Sequence, residues 1–238
     1  MDYYKYCGNR NAIRALGLPR FDYYYNKLEK KLPEYVERIR KGRKLVVWKV
    51  HFPKFIDVNG RKVTVTPQLE EYVAFAKRLK EFKEYFFIFI PHPKFFDYKG
   101  NESADCIQKI MEYLSGCENV WIDYSDDYRQ SLSCADYVII DRSAVMVEAG
   151  ALHIPVCYVS NAEYYEPVTK AIEPLIDSYY QANDCAGMIN FLNQCAKNQD
   201  VNKAARECAF AECIPYYDGK CGERIMGDII NGIINDKS

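Results

Sequence analysis

The 238 residues carry 32 Lys and Arg against 33 Asp and Glu, and 49% of them are hydrophobic. That balance excludes the basic field of a nucleic-acid-binding chain and the composition of a disordered one, and leaves enough apolar material for one large core. Ten cysteines with no CxxC pair and no close cysteine–histidine spacing point to a reduced compartment, with no structural zinc and no other metal or cofactor expected. The opening MDYYKYCGNRN has no apolar h-region, and no later run approaches the roughly 18 apolar residues of a membrane span.

In chain order, residues 1–43 read as a tyrosine-rich linker with a helical lead-in, NKLEKKLPEYVERIRKG, that stops at Gly42. From 44 to 238 the pattern changes to alternating strands and helices. LVVWKV is a short apolar run followed by a long segment of unreadable course, and PQLEEYVAFAKRLKEF has helical spacing. YFFIFI is a second strand, SADCIQKIMEYLSG a helix ending at Gly116, and NVWI a third strand. Then come the short helix DDYRQSLSCA, the strand DYVIID, the helix AVMVEAGALH and the strand PVCYV. Beyond Asn161 the strand signal fades into helices near 184–197, 200–212 and 221–235. The expected class is α/β: an open parallel Rossmann-like sheet of about five strands, helices on both faces, and a helical C-terminal annex.

Ligands of an open parallel sheet bind beyond the carboxyl ends of its strands, so the residues that follow each strand are the candidates. Asp141-Arg142-Ser143 ends the fourth strand where a helix begins. Ser143 as its cap leaves backbone N–H groups and a positive dipole end for an anion, with a phosphate as the natural guest. Glu148 lies a turn and a half into that helix, placed to accept from a ribose diol if it faces the cleft. The plainer alternative, Ser143 only a cap and Glu148 only a solvated residue, stays open on local pattern.

His92, held between Pro91 and Pro93, has its backbone constrained at a strand end, where an imidazole can donate to a phosphate or protonate a leaving group. Packing on Phe95 and Phe96 is its structural alternative. His51 is a candidate cleft residue with functional and structural roles evenly weighed. His153 reads as a helix-end residue favoured by the dipole, and Asp126 as the cap of DYRQSL instead of a metal ligand beside Asp123 and Asp127.

With these turns placed, the chain resembles the C-terminal nucleotide-binding lobe of the CDP-glycerol glycerophosphotransferase family of teichoic acid and capsule biosynthesis. LGLPRFD is similar to that lobe's opening, IPHP to its histidine-proline turn, CADYVIIDRSAVMVEAGALHIPVCYV to its central block, and YYDGKCGERI to its ending. The resemblance implies one lobe of a GT-B arrangement. It implies that His92 contacts the donor diphosphate and serves as a catalytic acid, that Ser143 binds phosphate, that Glu148 stands at the family's acidic position, and that Asp141 is a rim residue. Arg142 replaces a usual tyrosine and Ala144 a usual second serine, which leaves the role of Arg142 open between phosphate binding and the surface.

The implied reaction moves glycerol phosphate or another polyol phosphate from a CDP-linked donor to a hydroxyl of a cell-surface polymer or its lipid-linked primer. It would take place in the cytoplasm at the inner face of the membrane, with peripheral association through the full protein. The acceptor lobe is expected from further sequence or another chain, so this chain alone is expected to be incomplete for catalysis. The competing expectations are a GT-B glycosyltransferase lobe that uses a nucleotide sugar, and a non-catalytic nucleotide-binding module.

Overall fold

The computed structural model of the protein describes residues 14–26, 30–97, 102–164 and 166–235. The chain divides into two compact units, one made of its ends, Met1–Leu28 with Ile214–Ser238, the other of Glu29–Cys213.

In the smaller unit the segments LGLPRFD and YYDGKCGERI come together. Helix α1 (Pro19–Tyr25) supplies Asp22, whose carboxylate accepts the N–H groups of Cys221 and Gly222 at 3.0 and 2.8 Å. Those amides open the segment Cys221–Asn235, the last helix of the chain. An acid from another helix thus satisfies two of its orphan donors and opposes its dipole. Arg224 pairs with Asp218 at 2.7 Å and donates to the Leu16 carbonyl at 3.0 Å. Gly219 has φ +72°, and a Cβ there would stand 2.6 Å from the Tyr25 ring, so both conformation and space call for glycine.

The larger unit begins with α2 (Glu34–Arg40), followed by β1 (Lys44–Val50), the pair β2 (Phe55–Val58) and β3 (Arg61–Thr64), and α3 (Leu69–Arg78). Next are β4 (Tyr85–Pro91), α4 (Glu102–Ser115), β5 (Val120–Ile122), α5 (Arg129–Ser133), β6 (Tyr137–Ile140), α6 (Val145–Gly150) and β7 (Val156–Val159). The unit closes with α7 (Glu173–Asp177), β8 (Tyr180–Ala182), α8 (Cys185–Ala196) and α9 (Lys203–Cys213). The last helix, in the smaller unit, is α10 (Cys221–Asn235).

Six strands form one parallel sheet in the order β5-β4-β1-β6-β7-β8. The order runs outward from β1 to β5 on one side and from β6 to β8 on the other, the doubly wound Rossmann pattern with its switch point between β1 and β6. Alternation along β1 sends Val46, Trp48 and Val50 into a core shared with Tyr72, Phe75 and Ala76 of α3 and Phe191 of α8. Leu69, Tyr72, Phe75, Ala76 and Leu79 recur at helical spacing, which gives α3 one buried face. The Trp48 ring meets Tyr72 and Phe75 edge-on at 5.4 and 5.1 Å, and burying each such ring contributes about 2–3 kcal/mol.

Three expectations change. The sheet has a sixth strand, β8, whose exposed Gln181 and half-buried Tyr180 present no apolar run to read. The segment after His51 folds into a hairpin, because Asn59 and Gly60 both take positive φ, 54° and 80°, the requirement of the tight turn that asparagine-glycine favours. The lead-in helix starts only at Glu34, since Pro33 holds ψ at 139°, outside the helical range, and it ends with Lys41 at φ 53°. Residues 27–29 of the expected helix lie outside the described residues.

Candidate functional site

Two aspartates bracket β6 and tie it to β1. At its start Asp136 accepts the N–H of Leu45 at 2.8 Å and the ammonium of Lys44 at 2.9 Å. At its end Asp141 accepts the N–H of His51 on both carboxylate oxygens, each at 2.9 Å, and the hydroxyl of Tyr72 at 2.9 Å. Asp141 is fully buried. Its backbone is on the rim as expected, but its carboxylate points inward, where it holds the ends of β1 and α3 at the switch point. Burial is the main influence and pushes its pKa up, opposed by the His51 N–H and the charge of Lys49.

Around this anchor His51, Phe52 and His92 form an aromatic cluster, with the His92 ring centroid 4.8 Å from each of the other two. The His92 N–H extends the β1–β4 ladder by donating to the Val50 carbonyl at 2.9 Å. The ring contacts assign the tautomers. His92 Nδ1 lies 3.1 Å from the N–H of Lys94, which can only donate, so the neutral ring carries its proton on Nε2. His51 Nδ1 lies 2.9 Å from the Phe52 carbonyl, which can only accept, so the neutral ring holds its proton on Nδ1 and a lone pair on Nε2. Desolvation first, then the charges of His51 and Lys49, lower the His92 pKa to about 4, so His92 is a neutral Nε2–H donor at neutral pH.

Beyond β6 the backbone is already helical at Ala144, and the Ser143 Oγ accepts the N–H of Val145 at 3.2 Å, the donor two residues on that a capping serine takes. The hydroxyl proton of Ser143 remains able to donate.

Arg142 ion-pairs with Glu166 at 3.0 Å and donates to the carbonyls of Glu166 and Pro167, with Lys54 3.5 Å from the same carboxylate. Of the two roles left open for it, the geometry favours neither a ligand contact nor a bare surface site, but a clamp on the loop after β7. Asn161 holds the start of that loop by donating to the Thr66 carbonyl at 2.7 Å. Glu148 is 1% exposed and accepts the Tyr128 hydroxyl at 2.9 Å, so it is a buried, hydrogen-bonded acid instead of a solvated one.

Other positions settle differently. Asp127, not Asp126, accepts the N–H of Arg129 at the start of α5, because Tyr128 takes the helical backbone that precedes it. Asp123 is buried, accepts from Ser125 and Ser131, and lines a cleft of about 450 Å³ with Trp121, Tyr124 and Asp127. His153 has left-handed backbone, φ 56°, with its ring edge-on to Phe210 at 5.5 Å, away from the rim.

One rim residue escaped the sequence reading. Lys49 is 5% exposed within the central strand, and desolvation lowers its pKa to about 8 against the pull of Asp141. A lysine inside the apolar run LVVWKV was the available signal. Nothing in sequence linked Tyr72 to Asp141 or Tyr128 to Glu148, pairs 69 and 20 residues apart.

Comparison with solved structures returns this fold. A Staphylococcus aureus MnaA–UDP structure aligns with TM-score 0.58 at 16% identity over 95% of this chain and 56% of its own. A UDP-N-acetylglucosamine 2-epimerase aligns with TM-score 0.62 at 14% identity over 99% and 55%. A variant of the wall teichoic acid polymerase TagF, soaked with CDPG, aligns with TM-score 0.58 at 18% identity over 96% and 54%. The chain therefore spans about half the length of these proteins, and the likeness establishes the Rossmann-like fold. No curated protein sequence matches. Residues 4–231 match the family described as CDP-Glycerol:Poly(glycerophosphate) glycerophosphotransferase, which covers nearly the whole chain, and the protein belongs to that family.

Proposed function

We propose that this chain is the donor-binding lobe of a GT-B transferase that moves glycerol phosphate, or another polyol phosphate, from a CDP-linked donor to a hydroxyl of a cell-surface polymer or its lipid-linked primer. The observation that carries the reading is family membership over residues 4–231, with His92 and the Ser143 turn at the sheet's switch point. The acceptor hydroxyl oxygen attacks the donor's outer phosphorus, the bond to CMP breaks, and the hydroxyl proton passes to a base of the second lobe or to solvent. The neutral Nε2–H of His92 and the Ser143 hydroxyl donate to diphosphate oxygens on which charge grows. With the ring neutral at neutral pH, His92 works as a hydrogen-bond donor through Nε2–H; acting as an acid would require the imidazolium, which its lowered pKa disfavours. Glu148 is the proposed acceptor for ribose hydroxyls, which would have to displace the Tyr128 hydroxyl that now covers it.

Transfer needs the acceptor close to the donor, and a second lobe, in the same protein or another chain, is the proposed source of acceptor contacts. Action at the cytoplasmic face of the membrane is part of the proposal; among the described residues no helix is long and apolar enough to cross a membrane.

Isothermal titration of the chain with CDP-glycerol, CDP, CMP and UDP tests the reading. Cytidine nucleotides are expected to bind, more weakly after Ser143→Ala or His92→Ala. Absence of cytidine-nucleotide binding, or binding indifferent to both substitutions, sinks it. The fold's likeness to a UDP complex motivates the second reading, a lobe for a nucleotide sugar, which a preference for UDP would favour.

A further inference from the structure

Lys49 occupies the penultimate position of the central strand, between Ile90 of β4 and Ile140 of β6, both buried. Its ammonium donates to the Val50 carbonyl at 3.2 Å, the same oxygen that receives the His92 N–H at 2.9 Å. The shared carbonyl puts the amine at the carboxyl end of β1, beside His92 and at the switch point. Among the described residues no carboxylate lies within 4.0 Å of it. A buried ammonium without an ion-pair partner is costly, and an apolar side chain of similar length would fill this position at less expense to stability. The groups whose charges bear on this corner are Asp141 at the end of β6, His51 after β1, and His92, Lys94 and Asp97 after β4. Asp141 is the acid acting on Lys49, and its oxygens are already engaged by the His51 N–H and the Tyr72 hydroxyl. The cations of this corner, Lys49 and Lys94, are matched in number by Asp141 and Asp97, but the Lys49 ammonium makes no direct ion pair, and beyond its bond to the Val50 carbonyl it has donors left for an anionic ligand.

We propose that Lys49 is the buried cation that receives the anionic diphosphate of the nucleotide donor, an inference that rests on the donor-binding reading above. The Nζ donors meet the diphosphate from beneath while the His92 Nε2–H meets it from the rim. A consequence follows for protons. With its pKa lowered to about 8, the amine of the empty lobe is part neutral at that pH; a neighbouring phosphate favours the charged form, so binding draws a proton from solvent. No bond is made or broken in this step, and the buffer supplies the proton.

CDP-glycerol is the appropriate probe because both its phosphates are esterified on either side of the bridge and neither ionises near neutrality. Calorimetric titration of the chain in buffers of different ionisation enthalpy, at pH 6.5, 8 and 9, measures the protons taken up. Uptake of about half a proton is expected at pH 8, more at pH 9, and almost none from Lys49 at pH 6.5. Lys49→Met is expected to weaken CDP-glycerol by about tenfold or more and to abolish the uptake at pH 8 and 9, with a melting temperature equal to or above the parent's.

A merely structural lysine would instead lower the melting temperature and leave the proton count alone. Unchanged affinity in Lys49→Met, uptake that persists in it at pH 8, or wild-type binding without uptake overturns the inference while the donor-binding reading stands. Failure of the wild type to bind any nucleotide overturns both. Should the variant not fold, the wild-type proton count at pH 8 decides alone.

Discussion

The backbone N–H of His51 is received by both carboxylate oxygens of Asp141 at 2.9 Å, a bond that joins the carboxyl ends of β1 and β6. These two strands diverge into connections on either side of the switch point, so their ends have no further ladder to hold them. One buried acid replaces that missing rung, and with Tyr72 it fixes where His51 begins.

Replacing Asp141 with alanine strips two buried donors of their acceptor at once. The expected loss is about 2–4 kcal/mol in a urea titration, with weakened nucleotide binding as the His51 segment loosens. Asp141→Asn keeps one carbonyl oxygen for His51 and can donate to the Tyr72 hydroxyl, so it should lose less than half as much. Equal losses in the two variants would mean that the carboxylate charge, not the hydrogen bonds, is what matters there.

His92 makes stability depend on pH in a definite direction. Its folded pKa, about 4, lies below the ordinary 6.5, so the fold favours the neutral ring. That contribution is complete above pH 6.5 and is lost as pH falls toward 4, where the unfolded chain binds the proton and the folded chain does not. Allowing for solvent screening of a half-buried ring, the loss is about 1 kcal/mol. Melting curves of the parent and His92→Gln between pH 4 and 7 should converge toward low pH; parallel curves would contradict the lowered pKa.

Arg142 is spent on the loop after β7, through Glu166 and the Pro167 carbonyl. Arg142→Ala should therefore speed proteolysis of residues 161–172 and cost about 1–2 kcal/mol, while CDP-glycerol affinity falls less than in Ser143→Ala. A larger affinity loss in Arg142→Ala than in Ser143→Ala would return the guanidinium to the phosphate.

Gly150 ends α6 against a wall. A Cβ there would meet Phe210 and the Tyr179 hydroxyl at 2.9 Å and Leu175 at 3.1 Å, all side chains of a packed interior. Gly150→Ala is expected to lower stability by about 1–3 kcal/mol through overpacking, in spite of alanine's better helix propensity, and a stabilised variant would show that α7 and α9 yield.

Much of this was legible before any fold was drawn. LVVWKV, YFFIFI, NVWI, DYVIID and PVCYV are apolar runs long enough to mark strands buried on both faces, and Pro91-His92-Pro93 and Asp141-Arg142-Ser143 follow two of them. The hairpin has its own local signal in Asn59-Gly60, the pair that takes positive φ in its turn. By contrast, β8 exists because β7 offers it an edge, and no residue of Tyr-Gln-Ala announces that.

The sequence by itself determined the alternation of strands and helices, the family, and which turns share the carboxyl rim, since periodicity and turn chemistry are local properties. Tertiary structure alone decided what each rim residue is doing. Asp141 turns inward to His51 and Tyr72, Arg142 is held by Glu166, Glu148 is sealed under Tyr128, and Lys49 is left buried beside His92 without a carboxylate. Those roles depend on burial and on partners up to 90 residues away, and neither burial nor distant pairing is encoded in the neighbours of a residue.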